Sequence, residues 1–148
     1  GGKLKFGGSA LLPLNAALCA GGQMNGYGYV AIEATHIAQT GVCPVEAWNT
    51  AAEKEFKNSA ASIKKSCPKN AFLGLAESGF VVGVPKGSYT KSVLNKQYAL
   101  EAVRLLNENP DMQNDIKKLW VQSCGSESKA HNSQMGVVVS LWSRGLLK

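Results

Sequence analysis

Apolar and polar positions alternate along this chain in six stretches of helical period. Tyr27, Val30, Ala31, Ala34, Ile37 and Ala38 recur at i, i+3, i+4 and i+7 and predict a first helix, closed by Thr40-Gly41. Cys43-Pro44 opens a second, with Glu46 in its first turn, Val45, Trp48, Ala52 and Phe56 along one face, and an end near Lys57-Asn58. A polar connection from Asn58 to Ser66 leads to the most complete signal in the chain. There Pro68 suits the first helical position, Ala71, Phe72, Leu75 and Ala76 make a buried stripe, and Gly79 suits the left-handed position past the last turn.

Beyond Gly79 the pattern changes. Phe80-Val81-Val82-Gly83-Val84 is β-branched and short, and Pro85-Lys86-Gly87-Ser88 has the residues of a tight turn, so at most one short β-hairpin, wing or connector is expected. Ser92 or Asn95 caps a fourth helix with Ala99, Ala102, Val103 and Leu106 inside, stopped by Asn109-Pro110. A fifth carries Met112, Ile116, Leu119, Trp120 and Ser123 and ends at Gly125. After the polar loop Ser126 to Asn132, a sixth uses Met135, Val138, Val139 and Trp142 and ends at Gly145.

Shifting the first three helices by 66 to 72 positions lays them on the second three: Ala31-Ile32-Glu33-Ala34 on Ala99-Leu100-Glu101-Ala102, Trp48 on Trp120, and Leu73 to Phe80 on Val139 to Leu146. The expectation is an all-α domain over residues 24–148. It has two similar three-helix halves, about 24–88 and 89–148, with Phe72, Leu75, Trp48, Trp120 and Trp142 in a shared core. Two unrelated amphipathic triads can also align this way, since periodicity alone generates such matches. Residues 1–23 differ in composition, and Met24 looks like a start. They are expected to be an upstream extension, a processed leader or a fusion remnant. Ala10 to Cys19 is too short to cross a bilayer, and Pro13 interrupts it.

Length and composition then narrow the class. A chain of 148 residues with 45% hydrophobic and 18% charged residues is the size of one globular domain. The net charge of +6 has an address, because Lys57 to Lys96 holds seven lysines and one acid, Glu77. Lys64, Lys65 and Lys69 bracket the start of the third helix, and Lys86 and Lys91 follow it. A helix and a short wing bearing lysines is how winged helix-turn-helix proteins meet DNA phosphates, and Asn70 is the residue placed for base reading. The alternative is a solvated lysine face.

The cysteines Cys19, Cys43, Cys67 and Cys124 show no metal-ligand spacing, so neither metal nor cofactor is expected, and free thiols point to a reducing cytoplasm. Cys43 and Cys67 share the form C-P-x-x-A-aromatic, which puts both thiols at helix N-termini. There the dipole favours a thiolate. A nucleophilic Cys67 with His131 as base is the enzymatic alternative, but no local triad signature accompanies it. A half-buried residue before a helix is the plainer reading.

Three motifs carry a likeness to known proteins: Cys67-Pro68-Lys69-Asn70-Ala71-Phe72-Leu73-Gly74-Leu75, Gly87-Ser88-Tyr89-Thr90, and His131-Asn132-Ser133-Gln134-Met135-Gly136-Val137-Val138. On these the chain resembles a family of small uncharacterised bacterial proteins over Met24 to Lys148. The resemblance implies a bacterial cytosolic protein and no particular activity. The leading functional expectation is a non-enzymatic nucleic-acid-binding or regulatory module using Lys64, Lys65, Lys69, Asn70, Lys86 and Lys91. A protein-interaction module and a Cys67 enzyme are the alternatives.

Overall fold

The computed structural model describes residues 25–148, so the expectation for residues 1–23 lies outside them. The protein is all-α. The helices of the described residues are α1 (Gly26–Gln39), α2 (Pro44–Glu55), α3 (Ala60–Lys64), α4 (Ser66–Glu77), α5 (Val93–Glu108), α6 (Ile116–Cys124) and α7 (Gln134–Ser143), with a 3-10 turn over Pro110–Asn114.

The six long helices are those the apolar stripes predict, and their ends follow local chemistry. Asn25 Oδ1 accepts from Gly28 N at 2.9 Å to cap α1, and Ser92 caps α5 through the amide of Asn95. Gly79 takes the left-handed conformation after α4, at φ 81°.

Several local expectations are corrected. The connection from Asn58 to Ser66 is partly helical, because Ser59 caps α3 through the amide of Ser62. Helix α4 starts at Ser66, so Pro68 occupies its third position rather than its first; the first turn has no earlier backbone acceptor to fill, and proline is tolerated there as well. Met112 belongs to the 3-10 turn and not to the fifth helix. Asp115 separates the two by capping α6 through the amide of Lys118 at 3.1 Å. The segment after Gly79 is a connector, one of the forms its sequence allows. Val81 bridges to Leu147, Val82 N donates to Leu146 O, and Gln39 Nε2 donates to Val82 O.

The matching helices of the two halves start at Gly26 and Val93, Pro44 and Ile116, and Ser66 and Gln134, offsets of 67, 72 and 68 positions. Their packing is reciprocal. The third helix of each half packs most extensively on the first helix of the other, α4 on α5 and α7 on α1, while α4 and α7 touch each other. The correspondence is incomplete, since α5 also packs on α7. Asn95 and Gln134 are bonded near the starts of α5 and α7, and Asn107 and Trp142 near their ends, so these two helices run in the same direction.

One continuous core draws on both halves, and each contributes an aromatic pair. Trp48 packs on Phe72 with ring centroids 5.4 Å apart, and Trp120 meets Tyr98 edge-on at 5.2 Å. Phe72, Leu75, Leu106, Leu119 and Leu141 are fully buried with them. Trp142 departs from the expected core. It stands at the rim, because its indole N–H reaches outward to Asn107 Oδ1 at 3.0 Å.

Candidate functional site

The first turns of α1, α4 and α7 meet around Lys65. Tyr27, in the first turn of α1, donates its hydroxyl to Ser62 O of α3 at 2.9 Å, and Lys65 Nζ lies 5.7 Å from the centre of its ring. The start of α7 reaches the same place. Gly136 lies against the Asn25 side chain, and His131, just before α7, feels the charge of Lys65.

Each of these helix ends adds positive potential. Helices α1, α4 and α7 carry no acidic residue in their first turns, and no side chain caps α4, whose N-cap is Lys65 itself. Lys57 and Lys64 are exposed nearby in sequence, and Lys65 and Lys69 are half-buried. The carboxylate of Glu55 also comes to this end, beside Gly26.

His131 is a structural part of this corner. Its Nε2 accepts from Met135 N at 3.0 Å and caps α7, which fixes the neutral ring with its proton on Nδ1. The ring lies 5.1 Å from that of Trp120. Its outer edge is exposed, yet desolvation of the inner face, aided by Lys65, holds its pKa below the usual imidazole range.

The other predicted residues lie further along α4. Asn70 Oδ1 accepts from the Thr90 hydroxyl at 2.9 Å, so its amide is tied to the connector. Glu77 Oε1 accepts from the amides of Tyr89 and Thr90 at 2.8 and 3.1 Å, and Oε2 takes Lys96 Nζ at 2.7 Å. These bonds hold the connector beside α4 and bring Lys91 to a cleft of about 350 Å³ that Glu77, Lys96 and Leu100 also line. The stem of Lys86 lies over Gly79, at the far end of α4. A 12-residue helix is about 18 Å long, so Lys86 stands well away from Lys64 and Lys65.

Lysine pairing separates the groups. Lys96 is spent on Glu77, the one acid in its stretch, whereas Lys57, Lys64, Lys65, Lys69, Lys86 and Lys91 have no ion pair among the described residues. Cys67 sits at the second position of α4, half-buried and free. No hydrogen bond joins it to His131 among the described residues, and the His131 nitrogen that a base would use is occupied in part by the α7 cap. No group of three or more metal-ligating side chains occurs among them either.

Sequence reasoning did not find Tyr27, Ser62 or Asn25 at this corner. Tyr27 is far along the chain from Ser62 and Lys65, as Asn25 is from Gly136, and no local pattern announces such contacts.

Residues 24–148 match the model of a family of unknown function (DUF6979). The chain belongs to this family. No curated protein and no solved structure matches it. The matched segment takes in every helix described above, including the corner around Lys65 and the connector held by Glu77. No described helix is long and apolar enough to cross a membrane.

Proposed function

We propose that this family member is a non-enzymatic nucleic-acid-binding module that takes phosphates at the corner formed by α1, α4 and α7. The observation that carries the reading is that Lys64, Lys65 and Lys69, which have no ion pair among the described residues, flank the N-terminus of α4, a helix with no first-turn acid and no side-chain cap. Unpaired lysines and helix N-termini both favour phosphate oxygens. Asn70 is engaged with Thr90, which argues for contacts to the phosphate backbone over sequence reading. Free thiols at Cys43, Cys67 and Cys124 fit the cytosolic setting that this reading implies, and a bacterial source fits the motif resemblance.

The test compares two variants of equal charge change by fluorescence anisotropy with a labelled DNA duplex and a labelled RNA. Lys64→Ala/Lys65→Ala/Lys69→Ala removes the corner, and Lys117→Ala/Lys118→Ala with Lys148→Ala removes three exposed lysines elsewhere. The first is expected to lose binding at 50 mM salt and the second to keep most of it, on the order of the difference that phosphate contacts make. Equal losses would show that net charge alone is being read and would remove the site.

A further inference from the structure

Val93 and Leu94, 63% and 53% exposed, are the large hydrophobic side chains that stand out in water among the described residues. They are adjacent, in the first turn of α5. Gln97 and Leu100 continue the same ridge, since each lines both the cleft beside Lys91 and a second, more open cleft beside Ser123. A ridge with a groove on either side is the surface that helices use to pack on helices.

Charge runs along this face in one direction. At its start stands Lys91, exposed and without an ion pair, and the first turn of α5 holds no acid. Near its end Arg104 takes both Glu101 and Glu108, which leaves one negative charge in excess, and the last turn holds no base. The helix dipole has the same sense, positive at the start and negative at the end. A face that is positive, then apolar, then negative is complementary to itself when turned end for end. A parallel copy would set like charges together, and a polyanion would meet carboxylates over half the length.

We infer that the outward face of α5 pairs with the same face of a second copy of this chain, antiparallel across a twofold axis. Matching the charged ends sets Lys91 of each copy against Glu108 of the other. The axis then passes near Leu100, and Leu94 meets Leu105, which is partly buried at the edge of the core. One helix face is a small interface, so the dimer is weak and exchanges rapidly. The inference uses none of Lys64, Lys65 and Lys69 and stands apart from the nucleic-acid reading.

The test is sedimentation equilibrium of the full chain from ~10 µM to ~1 mM, the range in which a small interface assembles. A monomer–dimer equilibrium is expected, and Leu94→Glu, which changes an exposed side chain, should abolish it without loss of helical circular dichroism. Lys91→Glu and Glu108→Lys should each weaken the dimer about two- to fivefold, and the double variant should restore it, because rim ion pairs contribute modestly. A chain that stays monomeric throughout, a dimer indifferent to Leu94→Glu, or a double variant no better than the single ones would each overturn the assignment.

Discussion

Glu77 holds Lys96 at 2.7 Å across the junction of α4 and α5, and its other oxygen receives the amides of Tyr89 and Thr90. One carboxylate therefore closes the connector of residues 80–92 and keeps a lysine of the basic stretch out of the free set. The Lys96 bond first, then the Tyr89 amide, with the Thr90 amide adding to them, lower its pKa from 4.5 to about 2. A depressed carboxylate stabilises the fold above its unfolded pKa and loses that contribution as pH falls. Wild-type protein should therefore lose stability between about pH 4.5 and pH 2. Glu77→Gln should cost roughly 1–3 kcal/mol at pH 7, measured by urea unfolding, and should flatten the acid dependence in that window. An unchanged acid profile in the variant would show that Glu77 is not the group responsible.

Gly74 permits the same junction. A Cβ there would stand 2.7 Å from the Cα of Lys96, so backbone would have to move, whereas a Cβ at Gly136 would meet the side chain of Asn25 at 2.8 Å. Gly74→Ala is expected to destabilise by about 1–3 kcal/mol through overpacking. Gly136→Ala should cost less, about 1 kcal/mol, because Asn25 can rotate away at the expense of its cap on α1. Thermal unfolding of the two variants side by side checks the order.

His131 adds a second pH dependence at a different place. As an acceptor for Met135 N it must be neutral, and its folded pKa lies below 6.5. Protons therefore bind the unfolded chain more readily, so stability is full above about pH 6.5 and declines as pH falls through and below it. His131→Asn keeps an acceptor and removes the titration. The melting temperature of that variant should be flat between pH 7 and pH 5, a range spanning roughly the ordinary histidine titration, while that of the wild type falls. Exchange of the Met135 amide should speed up over the same range in the wild type.

The helical stripes were legible because an amphipathic helix repeats every few residues, so α1, α2, α4 and α5 follow from Val30, Trp48, Phe72 and Ala102 and their neighbours. Local competition decided what the stripes could not. Ser59 turned part of a polar connection into α3, and Asp115 became the cap that set Met112 apart from α6. The candidate site was legible in charge but not in shape. The count of lysines between Lys57 and Lys96 marked the segment, yet nothing local to Lys65 predicts Tyr27 or His131 beside it, and nothing local to Lys96 predicts its loss to Glu77. The Tyr27 contact depends on how α1 meets the start of α4 within the first half, and the placing of His131 and Lys96 on how the two halves close on each other, which the alignment of the halves suggests only in outline.

The central claim is that the free lysines at the start of α4 hold nucleic-acid phosphates. A salt titration of binding to a fluorescent duplex, from 50 to 200 mM, tests it most directly. Three phosphate contacts from Lys64, Lys65 and Lys69 predict a slope of log K against log salt near −2.7, about a 40-fold loss across that range. Absence of binding at the lowest salt, or an affinity that salt leaves unchanged, would contradict it.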